Sequence, residues 1–213
     1  MAGVHDRGRQ GGLEGNNMNG QEIIRLLGAS GALMDGHFQL SSGLHSPQYL
    51  QCAVALQHPA LAEKMGRELA RRWRKAVAGQ ISAVVSPALG GIIVGHEVGR
   101  ALGTRSCFTE RVDGKMTLLR RGFVLGPGLS ILVVEDVVTT GRSTLETVEA
   151  IRFCGGKPVG VACIANRSGL DNIGGLPLIS LITLDIPTFK VNACPQCAAH
   201  EPIQKPGSRP ATS

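Results

Sequence analysis

Residues 131–143 read Ile-Leu-Val-Val-Glu-Asp-Val-Val-Thr-Thr-Gly-Arg-Ser: two adjacent carboxylates, then a turn of hydroxyls and a glycine. The apolar run 131–134 suits a parallel strand covered on both faces. Glu135 and Asp136 come where such a strand leaves the sheet. Thr139, Thr140, Gly141, Arg142 and Ser143 can then wrap backbone N–H groups and hydroxyls around an anion at the start of the next helix. Carboxylates suit sugar hydroxyls or a hydrated Mg2+, and the turn suits a phosphate. A phosphorylated ribose carries both. Two plainer readings use the same residues. A Walker B strand also ends in acids, but no G-x-x-x-x-G-K-[ST] occurs in the chain. An ordinary strand–turn–helix with a capping Ser or Thr needs no ligand.

These groups need a scaffold. The chain has 213 residues, 43% hydrophobic but only 3% aromatic, so it suits one domain with a core of Val, Ile, Leu and Ala. Segments 81–85, 106–109, 131–134, 159–164 and 178–184 read as strands, and 20–28, 58–76, 92–102 and 143–153 as helices. In 58–76, Leu61, Met65, Leu69 and Trp73 recur at four-residue spacing. Gly91, Gly95 and Gly99 fall along one side of the following helix and fit close packing on a sheet. Residues 38–50 read as two short strands around a Ser-Gly turn. The alternation predicts an α/β fold with a doubly wound, mostly parallel sheet, and ligands at the carboxyl ends of its strands. Three loops converge there: 86–91, 109–122 and 135–143. The Ser-Pro-Ala-Leu-Gly-Gly turn at 86–91 offers backbone amides to a second anion. Segment 110–128 is polar and basic with no clear period. A segment of that length reads as a lid, with Arg111 and Lys115 placed to close over an anion, or as a solvated hairpin.

The net charge is +6, but the cations are dispersed, and the 71–75 cluster reads as the solvated face of a helix end. That balance suits anionic substrates rather than nucleic acid. No run has transmembrane length, and the N-terminus has no apolar signal region, so no membrane partner is expected. The six cysteines lack the spacing of a disulfide scaffold and fit a reduced, cytoplasmic protein. Residues 1–19 read as a disordered extension, with Met18 an alternative start. Residues 20–190 form the domain, and 191–213 a Pro-rich tail. In the tail, Cys194 and Cys197, followed by His200, make half a zinc site with no second pair evident. His5, His37, His45, His58 and His96 form no ligand spacing, and His96 reads as a packed polar residue.

The 131–143 run resembles the 5-phosphoribosyl-1-diphosphate (PRPP) signature of type I phosphoribosyltransferases. Taken with 38–50, Glu-Arg-Val-Asp-Gly-Lys at 110–115 and Ala-Asn-Arg-Ser at 165–168, it resembles the orotate phosphoribosyltransferase family over roughly 20–188. The resemblance implies a type I fold with a small hood at about 20–57. It also implies a homodimer whose 109–122 loop reaches the partner's site. The implied reaction moves the phosphoribosyl group of PRPP to N1 of orotate. The products are orotidine 5′-monophosphate and diphosphate, in de novo pyrimidine synthesis, with Mg2+ bound through PRPP and waters near Glu135 and Asp136. Positive charge develops on the ribose and negative charge on the leaving group, so acids and cations are needed at opposite ends. Glu135 and Asp136 then serve the ribose, and Val137, Val138, Thr139, Thr140, Gly141, Arg142 and Ser143 cradle the 5′-phosphate. Ala88 and Leu89, with Arg111 and Lys115, meet the diphosphate. Thr139 and Arg167 hold orotate, and Ser42, Tyr49 and Leu50 line the base pocket.

The chain departs from the family at three places. Some members carry a Lys where Ser41 and Gly90 stand, and a lid His where Met116, Thr117 and Leu118 stand. Cationic help then falls on Arg111, Lys115 and either Arg120 or Arg121. Two other functions share these motifs: a purine-type phosphoribosyltransferase, against which the hood and Arg167 argue, and a non-catalytic PRPP-binding regulator.

Overall fold

The computed structural model describes residues 17–118 and 121–206. Most of the 1–19 segment therefore lies outside the described residues, as does Arg120. The described chain is built in before residue 20. Met18 is buried, and the Asn19 side chain caps α1 (Gly20–Ala29) by accepting from the Glu22 amide.

A hairpin of β1 (Leu33–Gln39) and β2 (His45–Leu50) follows, then a short α2 (Cys52–Leu56). The long α3 (Pro59–Ala76) starts at a proline, which needs no amide partner in a first turn. The main sheet is built from β3 (Ala83–Pro87), β4 (Arg105–Val112), β5 (Lys115–Thr117), β6 (Ser130–Val138), β7 (Lys157–Asn166), β8 (Asn172–Ile173) and β9 (Leu176–Thr183). Its order is β5-β4-β3-β6-β7-β9-β8, with β4, β3, β6, β7 and β9 parallel and both edge strands antiparallel. The predicted doubly wound, mostly parallel sheet is what forms.

Strand alternation divides the core in two. Val84, Leu132, Val134, Ala162 and Ile164 face α1 and α3 together with α4 (Gly91–Leu102). Ala83, Val85, Ile131, Val133, Val161 and Cys163 face α5 (Arg142–Phe153). The glycine stripe packs as its spacing predicts: a Cβ on Gly95 would lie 1.9 Å from Ser86 Oγ, and one on Gly99 3.1 Å from Ser106 Cβ. Trp73 fills the space over β7, where a Cβ on Gly160 would lie 2.2 Å from its ring.

Several elements differ from expectation. Strand β6 runs to Val138 because β7 pairs with it that far, whereas β3 stops pairing at Val133. The acids are therefore inside the strand, not beyond it. The 110–128 segment begins as a hairpin, β4–β5, turned by Asp113 and Gly114 with both φ positive. An Asp-Gly pair is the ordinary signal for that turn and stands in the sequence. The 71–75 cluster is not simply solvated. Arg72 bonds Glu68 and donates to the carbonyls of Ser180, Leu181 and Met18, tying α3 to β9 and to the chain start. His96 is exposed rather than packed. Among the described residues no helix is long and apolar enough to cross a membrane.

The Trp73–Gly160 contact gives a stability prediction. Gly160→Ala should lower the unfolding free energy by about 1–3 kcal/mol in urea titrations, since the new methyl meets a fully buried ring. An unchanged midpoint would mean that the indole moves aside freely.

Candidate active site

Glu135 and Asp136 alternate on β6 and meet different surroundings. Glu135 is buried and accepts from the hydroxyls of Ser143 (2.9 Å) and Thr144 (2.5 Å) in the first turn of α5. Burial raises its pKa, and the two hydroxyls oppose that rise. In this arrangement Glu135 fastens the end of β6 to the start of α5. Asp136 is half-buried and, among the described residues, pairs with no cation. Burial raises its pKa, and backbone hydrogen bonds from Val137 and its own amide oppose this.

The Asp136 carboxylate lies against the β3–α4 turn. A Cβ on Gly90 would sit 2.6 and 2.7 Å from its two oxygens. The acid thus occupies the space that a side chain at position 90 would need in this conformation. In the same turn the Ala88 amide donates to the Thr109 carbonyl at 2.7 Å, so it is committed to β4. The Ala88–Leu89 peptide is cis, and the Leu89 side chain is exposed.

Beyond Val138 the chain turns through Thr139 and Thr140, both exposed, to Gly141, whose φ of 73° sets the left-handed step into α5. A Cβ there would also press Ile173 at 3.0 Å. Thr140, Arg142 and Ser143 line an open recess of about 570 Å3 with Arg111 and Gly114 of the β4–β5 hairpin. The structure thus brings the hairpin cation to the hydroxyl turn. Arg111 is ion-paired with Glu146 and donates to the Gly114 carbonyl (3.0 Å), while Arg142 holds Glu146 at 3.0 Å. Those two guanidiniums keep the Glu146 carboxyl below the usual range. Arg121 is engaged with Glu110 at 2.7 Å. Lys115 is exposed on β5 and has no ion pair among the described residues.

Arg167 follows β7 directly, and its amide donates to the Val138 carbonyl at 2.7 Å, beside Thr139. Its Nε is buried without a partner, and burial lowers its pKa. A guanidinium left short of an acceptor favours a bound anion. In the hood, Tyr49 stacks obliquely on Phe38 with centroids 5.7 Å apart. Ser42 is exposed in the hairpin turn, and the Leu50 side chain joins the core, so only its backbone is left to face a ligand.

Comparison with known proteins agrees with this geometry. The Phosphoribosyl transferase domain family matches residues 55–172. A protein of Desulforamulus reducens named orotate phosphoribosyltransferase is 46% identical over 196 residues, 92% of this chain and 100% of that protein. The chain belongs to the orotate phosphoribosyltransferase family. A relative of that name from Erythrobacter litoralis is 46% identical over 90% of this chain and 99% of its own length. The crystal structure of Mycobacterium tuberculosis orotate phosphoribosyltransferase in complex with inorganic phosphate superposes with a TM-score of 0.62 at 27% identity, covering 78% of this chain and 95% of that one. An adenine phosphoribosyltransferase of Thermoanaerobacter pseudethanolicus, at 14% identity and a TM-score of 0.54, covers 64% of this chain and 88% of that one, and shares the fold alone.

The approach of Asp136 to Gly90 predicts a sharp sensitivity. Gly90→Ala should reduce turnover by about 10²-fold, as expected when a reacting group moves by about 1 Å. Its thermal midpoint should stay close to the parent's. Full activity in that variant would show that the carboxylate has room to spare.

Proposed function

We propose that this chain transfers the phosphoribosyl group of PRPP to N1 of orotate, releasing diphosphate and forming orotidine 5′-monophosphate for pyrimidine synthesis. The observation that carries the reading is one arrangement at the carboxyl end of β6. There the Asp136 carboxylate, with no cation partner among the described residues, lies against the β3–α4 turn, and the chain runs on from it into a hydroxyl turn whose recess is lined by Arg111. An acid for the ribose and donors for its phosphate are then held a few residues apart on one strand and its turn.

The chemistry follows from where charge appears. As the bond from C1 to diphosphate lengthens, positive charge grows on the ribose, and Asp136 is placed to stabilise it. The Thr139–Ser143 turn holds the 5′-phosphate through hydroxyls and amides, with Val137 and Val138 as its backbone approach. Glu135 acts through position: it holds Ser143 and Thr144, and with them the mouth of the turn. Leu89 and Gly90 supply diphosphate amides, since the Ala88 amide is already used. Lys115 and Arg111 neutralise the leaving group once the hairpin closes, Arg111 leaving Glu146 to do so. The incoming orotate nitrogen is the nucleophile, so no covalent enzyme intermediate is needed. Arg167 takes the orotate carboxylate or imide edge with planar paired donors, aided by Thr139, Ser42, Tyr49 and the Leu50 backbone.

The donor set fits Mg2+. Asp136 offers hard carboxylate oxygens with no competing cation among the described residues, suited to an ion that keeps its waters and binds mainly through substrate oxygens. Bound there, Mg2+ supplies charge neutralisation to the diphosphate. We further read the molecule as a cytoplasmic homodimer. Free cysteines support the location. A groove of about 750 Å3 between the β4–β5 hairpin and α5, lined by Met116, Leu145 and a largely exposed Phe153, supports a partner surface beside the lid.

The direct test mixes protein, orotate, PRPP and Mg2+ and follows loss of orotate absorbance. Loss requiring all three is expected. Product with adenine or hypoxanthine instead would remove the base assignment, and PRPP binding without turnover would favour a regulator.

Two variants probe the roles. Asp136→Asn should lower turnover by about 10²-fold or more. Its stability follows the opposite course. A carboxyl whose folded pKa is raised contributes stability below its unfolded pKa and loses it as pH rises through the folded value. At neutral pH the asparagine variant should therefore melt no lower than the parent, with any advantage vanishing in acid. The parent's kcat/KM for PRPP should fall on the acid side with a midpoint above the ordinary Asp value of about 3.9. A variant that is both active and less stable would contradict both roles. Arg167→Lys should raise the KM for orotate about tenfold or more while leaving that for PRPP nearly unchanged. Equal effects on both would place Arg167 elsewhere.

A further inference from the structure

The C-terminal segment does not hang free. The Gln39 amide donates to the Gln204 carbonyl, and the Gln204 amide to the His37 carbonyl, both at 2.8 Å. His45 and Phe189 exchange two backbone bonds at 2.8 Å, and Gln196 Nε2 donates to the Gly36 carbonyl at 2.9 Å. The segment thus flanks both strands of the β1–β2 hairpin. At the join, four side chains converge: His37 and His45 from the hairpin, and Cys194 and Cys197 from the opening turn of α6 (Pro195–Ala198). Three of the four residues are buried, and all four ligand atoms lie within 4.8 Å of one another.

We propose that His37, His45, Cys194 and Cys197 form a closed, four-ligand zinc site that fastens the C-terminal segment onto the hood. The distances carry the argument. A tetrahedral ion with Zn–S of about 2.3 Å and Zn–N of about 2.0 Å separates sulfur from nitrogen by about 3.5 Å and nitrogen from nitrogen by about 3.3 Å. Here His37 Nε2 lies 3.5 Å from Cys194 Sγ and 3.6 Å from Cys197 Sγ. His45 Nδ1 lies 3.2 Å from Cys197 Sγ and 2.9 Å from His37 Nε2. Small outward shifts admit the ion.

The surroundings select the tautomer and the metal. His37 Nδ1 is 3.0 Å from the Glu201 carbonyl, which can only accept, so that nitrogen carries the proton and Nε2 is left with its lone pair toward the sulfurs. Two thiolates and two imidazoles suit zinc, whereas Mg2+ and Ca2+ demand oxygen donors. The two thiolate charges balance the ion, so the buried site is neutral, and binding releases the thiol protons. Four protein ligands leave no open position, which makes the site structural rather than catalytic. A two-stranded hairpin is marginal alone, and a metal here would staple it. On the reading proposed above, that hairpin carries Ser42 and Tyr49 of the base pocket.

The test uses the full chain and needs no turnover, so its failure is distinct from failure of the proposed reaction. Elemental analysis of protein purified without added metal should find close to one zinc equivalent per chain. The count should fall to background in Cys194→Ser/Cys197→Ser and in His37→Asn, and hold in Cys107→Ser. Cobalt added to chelator-stripped protein should give thiolate-to-metal absorption and the visible bands of a tetrahedral site. On stripping, amides of 33–50 and 189–204 should lose hydrogen-exchange protection while those of β6 and β7 keep theirs. If the first variants fail to fold, the cobalt spectrum of the parent still decides. Folded protein with two titratable tail thiols and no cobalt spectrum, or with a Cys194–Cys197 disulfide by mass, overturns the site. Metal bound without any change in hood protection overturns the stapling role.

Discussion

The buried Glu135 carboxylate is the constraint on which the site rests. It sits in the middle of a strand, where an ionised group has little water and its charged form is disfavoured. Two hydroxyls from the first turn of α5 offset that cost by satisfying both oxygens. The same bonds fix where α5 begins relative to β6. The chain between them has to make its turn through Thr139–Gly141, with the left-handed step at Gly141. A turn held at both ends presents its donors without reorganising, which is what binding a phosphate at a helix start requires.

The second constraint is close approach without side chains. Gly90 lets the Asp136 carboxylate lie on the β3–α4 turn, and Gly95 lets α4 lie on Ser86. The β3–α4 turn and the end of β6 are therefore held against each other by these two close approaches. The β4–β5 hairpin contrasts with this. Its Arg111 is held by an exposed ion pair with Glu146, the kind of contact worth little in water and readily exchanged for a phosphate. Rigid acids and a loosely held cation suit a site that must enclose an anion and then release one.

The hood depends on parts that are far apart in the chain. Its hairpin offers few core contacts of its own, and the returning C-terminal segment supplies backbone pairing on both edges. The hood hairpin and the last helical turn among the described residues are thereby linked through the same few residues.

The sequence by itself determined the sheet, its two-sided helical cover, the glycine stripe and the order of the site motifs, because these rest on short-range periodicity and local turn chemistry. Its resemblance to one family also carried the expectation that Asp136, Arg111, Lys115 and Arg167 serve one reaction. The Asp113-Gly114 hairpin was legible too, since that pair favours positive φ at both positions, but the charged residues around it hide the strand period. Tertiary structure alone decided the rest. That Glu135 fastens α5 while Asp136 turns to the β3–α4 turn depends on which face of β6 meets α5. That Gly90 has no room for a side chain depends on Asp136 of β6, a strand that pairs onward beyond β3. That Cys194 and Cys197 find His37 and His45, rather than His200, depends on a contact between residues 157 positions apart. Ligand spacing in a sequence reveals a metal site only when its ligands share one local element. Here the two halves lie at opposite ends of the chain, and only the folding of the tail over the hood brings them within reach.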